Sequence, residues 1–324
     1  MGLASPGEEH WTDGPGVGMI QSAMIKYPAR VWRLALFGAV ALAARADDLP
    51  PLNSPPGTEQ FGGKFIWADL FTADPAAASR FYTSLFGWEA TSLSRTGSSG
   101  NAHSYIVLSN EGRPVAGIAL RPAKMEDAVH GRWVGYVSVK DVPQALAAAT
   151  SGGGRILFPA RSLPQQGIKG IFIDPDGAEL GVMNSSSGDP AEYTPESGDW
   201  TWSELFARDP VKAGQYYKSV AGYDVIPDTR TDRADTLILV SGGYSRAGVL
   251  PVPNRPKARP AWLLFVRVAS VKDTIARVVA LGGRVLLAPS SESTEYWKAI
   301  IADPAGAVLG IVQLETPAPA KEQP

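Results

Sequence analysis

Apolar and polar residues alternate along Phe65–Phe71, which predicts a strand, and Asp74-Pro75 follows it. Aspartate there offers a side-chain cap to the orphan N–H groups of a helix, and proline suits a first helical turn. Ala78, Phe81, Tyr82 and Leu85 then recur at spacings of three and four, a buried helical stripe that Gly87 ends. The same grammar returns downstream: a strand over Trp133–Val139, a cap at Asp141, a helix through Leu146 and Ala149, the glycines 152–154, and a strand over Ile156–Phe158. Asp209-Pro210 and Ser270 stand at the corresponding cap positions later in the chain, and capping accounts for these polar residues without any catalytic role.

The pattern is a duplication. FIWADLFTADPAAASRFYTSLFGWEA from Phe65 aligns without gaps on WTWSELFARDPVKAGQYYKSVAGYDV from Trp200, a constant offset of 135. A second block pairs WVGYVSVKDV from Trp133 with WLLFVRVASV from Trp262, and a third pairs GIFIDPDGAELGVM from Gly170 with KAIIADPAGAVLGIV from Lys298. These set Asp174-Pro175 opposite Asp303-Pro304 at an offset of 129. Separate blocks in one order indicate two domains. The boundaries drawn are 1–46 for an N-terminal extension and signal peptide, 47–63 for a flexible linker, and 64–187 for the first domain. Residues 188–198 form a second linker, 199–316 the second domain and 317–324 a tail.

Composition narrows the function more than it defines it. The 30 basic and 32 acidic residues nearly cancel, and no cationic cluster is interleaved with aromatics, so nucleic acid is not an expected partner. Absence of cysteine excludes disulfides, thiolate metal sites and a cysteine nucleophile. The histidines are His10, His103 and His130. Near the start, Lys26, Arg30 and Arg33 precede the apolar run Leu34–Ala44, and Ala44-Arg45-Ala46 supplies small residues for cleavage. This predicts a secreted or periplasmic protein processed near Ala46, and the run is too short to leave a permanent span, which takes roughly 20 residues.

A strand, an Asp-Pro-capped helix ending FYTSLFGW, a second βα unit and a closing strand after DPDG, all found twice, resemble the vicinal oxygen chelate superfamily of glyoxalase I, extradiol dioxygenases and bleomycin-resistance proteins. The resemblance implies an α+β fold of two tandem domains, each built of two βαβββ modules forming a half-open barrel around a cavity. Paired domains that pack on each other are also implied. In the enzymes of that superfamily the cavity holds a divalent metal bound by His, Gln or Glu. The positions implied for these ligands carry Trp67 and Trp202 on the first strand, Val134 and Leu263 on the fifth, and Gly181 and Gly310 on the closing strand. Neither 113–124 nor 245–259 contains a carboxylate or histidine. The expectation is therefore no metal, no cofactor and no catalytic residue.

Strand alternation puts Trp67 and Asp69 on one face, and Trp202 and Glu204 repeat the pair. An aromatic wall beside a carboxylate suits a small aromatic or cationic ligand. His103 and Tyr105 share a face of a third strand, and Trp133 and Trp262 come from the fifth strands. The candidate ligand-binding set is thus Trp67, Asp69, His103, Tyr105, Trp133, Trp202, Glu204 and Trp262. Two other readings stay open: a metal-dependent lyase, isomerase or dioxygenase using His103 with Asp69, and an interaction module whose cavities are filled by its own aromatics.

Overall fold

The computed structural model describes residues 49–96, 102–121, 131–230, 235–254, 258–289 and 296–314. The candidate export signal, the tail and His130 lie outside them, and the His103 side chain is likewise not described. Among the described residues no helix is long and apolar enough to cross a membrane.

The first copy runs β1 (Phe65–Thr72), α1 (Pro75–Phe86), β2 (Glu89–Thr96), β3 (Ala102–Asn110), β4 (Arg113–Leu120), then β5 (Arg132–Ser138), α2 (Val142–Ser151), β6 (Arg155–Leu163), β7 (Gly167–Ile173) and β8 (Glu179–Ser185). The second copy repeats this order as β9 (Trp200–Ala207), α3 (Pro210–Ala221), β10 (Asp224–Pro227), β11 (Leu237–Ser241), β12 (Tyr244–Pro251), β13 (Ala261–Arg267), α4 (Val271–Ala280), β14 (Arg284–Leu287), β15 (Tyr296–Ala302) and β16 (Val308–Leu314). Each copy is one open eight-stranded sheet, ordered β2-β3-β4-β1-β5-β8-β7-β6 and β10-β11-β12-β9-β13-β16-β15-β14. Two βαβββ modules meet at the antiparallel β1–β5 and β9–β13 pairs. The helix starts follow the sequence: Asp74, Asp141, Asp209 and Ser270 each accept a hydrogen bond from the backbone N–H three residues on.

The helical faces of the two sheets share their cores. Phe81, Tyr82, Leu85 and Trp133 of the first copy pack with Leu264, Val266, Ile301 and Leu309 of the second. Val142, Leu146 and Phe172 pack with Tyr217, Leu239 and Trp262 in a second shared cluster. Polar links repeat about the same pseudo-symmetry. Trp88 Nε1 donates to the Gly198 carbonyl at 2.8 Å, and Tyr223 Oη donates to the Gly63 carbonyl at 2.6 Å. Gly63 and Gly198 occupy the left-handed region, at φ 78° and 90°, a turn that favours glycine as the chain enters each first strand.

Residues 49–63, expected to be a flexible linker on their Pro, Gly and Ser content, are instead tied to the first copy. The Leu52 amide donates to Ser187 Oγ at 2.9 Å, the Phe61 amide to Asp189 Oδ2 at 2.6 Å, and Asn53 Nδ2 to the Gly188 and Asp189 carbonyls. Leu49 and Leu52 are buried, so two apolar anchors outweigh a loop-like composition.

Candidate functional site

On the concave face of the first copy, β1 carries Trp67 and Asp69 side by side, as alternation requires, and both are buried. Asp69 Oδ1 accepts from Trp67 Nε1 at 2.7 Å and from Tyr105 Oη of β3 at 2.5 Å. Tyr136 of β5 is buried beside this carboxylate, and burial together with the carboxylate's charge pushes its phenol well above the ordinary tyrosine range. Lys169 of β7 completes the cluster, its Nζ 3.5 Å from Asp69 Oδ2, 4.7 Å from the centre of the Tyr136 ring and 5.0 Å from that of Trp67. Charge in an apolar interior is tolerable only when paired and hydrogen-bonded, and here each oxygen of Asp69 has a donor or a cation. Leu52, Phe71, Val107, Val134, Ile171 and Met183 pack around the group. Among the described residues, these side chains pack the space around Asp69.

The second copy repeats the ion pair and leaves it open. Lys298 Nζ of β15 lies 2.9 Å from Glu204 Oε1 of β9 and 5.7 Å from the centre of the Phe265 ring on β13. Lys298 is about one-third exposed where Lys169 is buried, at 35% against 7% for the side chains. Fewer apolar residues close this face: Leu263, Phe265 and Val312 are buried, with Trp202, Phe206 and Ile300 half-buried beside them. A cavity of about 1020 Å³ results. Glu204, Phe206, Leu250, Leu263, Phe265, Lys298 and Ile300 line its interior, and Arg132, Leu157, Asp176 and Glu179 of the first copy contribute to its wall. That volume is at the upper end of the roughly 300–1,000 Å³ of small-molecule pockets, and apolar walls around a few polar groups are the usual composition of such sites.

Of the residues singled out in the sequence, Trp67, Asp69 and Tyr105 converge in the filled first cavity, and Glu204 stands at the open second one with Trp202 beside it. Trp133 and Trp262 use their indoles elsewhere. Residues 133 and 262 fall on the opposite face of their strands from 134, 136, 263 and 265, so each indole packs in the core shared by the two copies, and both residues also border the cavity. Trp133 Nε1 donates to Tyr82 Oη at 2.9 Å, which donates to Asp303 Oδ2 at 3.1 Å. Trp262 Nε1 donates to Tyr217 Oη at 2.8 Å, which donates to Asp174 Oδ2 at 2.9 Å. The aspartates of the closing turns are thus accepting ends of two Trp-Tyr-Asp chains that cross between copies.

The two lysines escaped the sequence reading, although they were legible. Aligning the third block from Gly170 against Lys298 hid the match by one residue; at the offset of 129 that pairs Asp174 with Asp303, Lys169 falls on Lys298. Strand register also identifies the counterpart of Tyr105 on β3. Asp69 pairs with Gly117 and Glu204 with Gly248, while Val107 pairs with Gly117 and Ile238 with Gly248. Tyr105 therefore corresponds to Thr236, and the side chain of the adjacent Leu237 lies in the shared core.

The metal of the resembling enzymes requires several lone pairs from carboxylate, amide or imidazole groups. Here the strands present Trp67, Val134, Tyr136 and Gly181 in one copy and Trp202, Leu263, Phe265 and Gly310 in the other. The carboxylate in each copy faces an ammonium, which repels a divalent cation. Among the described residues, no group of three His, Cys, Asp or Glu could hold a metal ion. This donor set does not fit the metal.

Comparison with known proteins agrees with the fold. CFP32 of Mycobacterium tuberculosis, provisionally named a glyoxylase, is 28% identical over 265 residues, covering 82% of this chain and 99% of its own. The anthracycline biosynthesis protein DauV of Streptomyces sp. (strain C5) is 29% identical over 269 residues, 80% of this chain and 96% of its own. Among solved structures, a Mn(II)-bound glyoxalase from Novosphingobium aromaticivorans superposes with a TM-score of 0.51 at 16% identity, covering 79% of this chain and 84% of its own. The 2,3-dioxygenase LapB of Pseudomonas sp. KL28 does so with a TM-score of 0.51 at 12% identity, covering 83% and 97%. Residues 64–182 match the Glyoxalase/Bleomycin resistance protein/Dioxygenase superfamily and residues 203–312 match the Glyoxalase-like domain. The chain belongs to the glyoxalase/bleomycin resistance protein/dioxygenase superfamily, as a tandem pair of glyoxalase-type domains.

Proposed function

We propose that this is an exported, metal-independent protein that binds a small molecule in the concave cavity of its second copy. The observation that carries the reading is the Glu204–Lys298 pair on the wall of an open, largely apolar cavity, set against the sealed Asp69–Lys169 pair of the first copy. The first copy then acts as a scaffold: Trp67 and Tyr105 donate to its carboxylate, Lys169 balances it, and the space around it is packed by the chain's own side chains. The second supplies an ammonium and a carboxylate at fixed positions among aromatic and aliphatic walls, which orient a polar group while the walls bury the rest. Relatives named for glyoxylase activity and for anthracycline biosynthesis are in keeping with a small organic molecule as partner. Export rests on the basic-then-apolar segment ending at Ala46.

Elemental analysis of protein purified without chelators and with a histidine-free tag tests the metal-independent part; near-stoichiometric metal would overturn it. Screening of small aromatic molecules against the wild type and Lys298→Met tests the site, and binding unaffected by that substitution would overturn the placement. Export predicts an N-terminus at Asp47 in the secreted or periplasmic fraction, readable by intact mass, and an unprocessed cytoplasmic protein would contradict it.

A further inference from the structure

The first copy displays what the second copy's carboxylate lacks. Asp69 accepts from the Tyr105 hydroxyl and from Trp67, with the Tyr136 phenol buried beside it. For Glu204, among the described residues, Lys298 is the hydrogen-bond donor, and neither tyrosine is reproduced. Thr236 stands where Tyr105 does, with its short side chain buried and its hydroxyl making no hydrogen bond among the described residues. Phe265 stands where Tyr136 does. Each ring lies over the glycine paired with it on the closing strand, Tyr136 over Gly181 and Phe265 over Gly310, so that a Cβ on either glycine would overlap the ring. The rings are placed alike, and the difference between them is the hydroxyl.

The glycine beside each carboxylate reports the space this leaves. A Cβ on Gly117 would overlap the Tyr105 hydroxyl, whereas on Gly248 it would meet nothing nearer than Leu250 Cδ1 at 3.3 Å. The first copy places two phenols beside its carboxylate; the second carries neither, and its Glu204 and Phe265 line the open cavity.

We propose that the second cavity takes a hydroxylated aromatic molecule, its phenolic O–H donating to Glu204 and its ring lying against Phe265 and Phe206, in the role that Tyr105 plays toward Asp69. This inference rests on the reading of that cavity as the binding site. An uncharged phenol is matched to the site because Lys298 already balances Glu204, so a donor is wanted and a second cation is not. Lys298 can in turn receive a ring oxygen substituent as an acceptor.

Isothermal titration of the full chain with 2-naphthol and with 2-methoxynaphthalene separates the two readings. The ether fills the same space and cannot donate. A hydrogen bond to a charged acceptor predicts that 2-naphthol binds at least about tenfold more tightly. Phe265→Tyr, which supplies a hydroxyl from the chain, and Glu204→Leu, which removes the acceptor, are each expected to bring the ratio of the two affinities to within about threefold of one, the ratio and not either affinity being the readout. Equal affinity of the two probes for the wild type would overturn the phenol inference and leave the cavity as a binding site. Binding of neither would overturn both. A preference that survives in Glu204→Leu would overturn Glu204 as the acceptor.

Discussion

Replacing Tyr82 by phenylalanine removes one oxygen from the centre of a chain that ties the two copies together. Tyr82 and Asp303 are fully buried and Trp133 nearly so. The substitution leaves the Trp133 indole N–H without its acceptor, a cost of about 1–3 kcal/mol for a buried donor, and takes from Asp303 a hydrogen bond to a charged group, about 1.5–3 kcal/mol. The ring itself keeps its packing against Phe81, Trp88 and Trp133. Allowing for partial relaxation, the loss is about 2–5 kcal/mol. Urea unfolding followed by tryptophan fluorescence reads it directly. The shared cores predict one transition in both proteins, moved to lower urea in the variant. The mirror substitution Tyr217→Phe, which orphans Trp262 and weakens the donation to Asp174, should behave alike. A loss below about 1 kcal/mol, or a variant in which the second copy unfolds separately at its former midpoint, would refute the reasoning.

Three further outcomes follow from the same geometry. Gly117→Ala, whose methyl group would overlap the Tyr105 hydroxyl and crowd Asp69, should destabilise by about 1–3 kcal/mol as overpacking does, whereas Gly248→Ala should cost less than about 1 kcal/mol; equal thermal shifts in the two variants would contradict the difference between the cavities. Burial raises the pKa of Asp174 and of Asp303, against the opposing pull of their hydrogen bonds. The folded chain therefore takes up these protons before the unfolded chain does, and their stabilising contribution, complete below the unfolded value, is lost as pH rises through the raised one. Asp174→Asn should flatten the fall in stability over that interval, measured by urea midpoints from acid to neutral pH; an unchanged slope would contradict it. Leu52→Ala, which empties a buried position under the first copy's concave face, should cost about 2–5 kcal/mol, and an unaffected melting temperature would show that residues 49–63 are not anchored as described.

Much of this architecture could be read along the chain because local chemistry and global fold agree. Asp-Pro pairs start helices wherever they were expected to, glycines end them, and the offsets of 135 and 129 carry one sheet onto the other. The Trp-carboxylate pairs on β1 and β9 were legible for the same reason, since a period of two leaves no ambiguity about which residues share a face. Direction relative to the cavity was less accessible. Trp133 and Trp262 have the size and polarity of cavity residues, and only the register of β5 and β13 against the first strands shows that they turn toward the other copy. The lysines were hidden by a one-residue slip in a short block, and Thr236 becomes the counterpart of Tyr105 only through the pairing of strands. Sequence likewise gave no means of telling the filled cavity from the open one. That difference lies in two tyrosine hydroxyls and the packing around them, replaced by threonine and phenylalanine at positions whose equivalence depends on pairing across strands.

The central claim is that one cavity is closed by the protein's own phenols and the other is open to a ligand beside Glu204 and Lys298. A crystal structure of the chain grown with 2-naphthol tests it most directly. The account predicts density for the ring against Phe265, its oxygen within hydrogen-bonding distance of Glu204, and the first copy unchanged around Asp69. Density for the ring beside Asp69 with Tyr105 displaced, or a second cavity closed by its own side chains in the presence of saturating ligand, would contradict it.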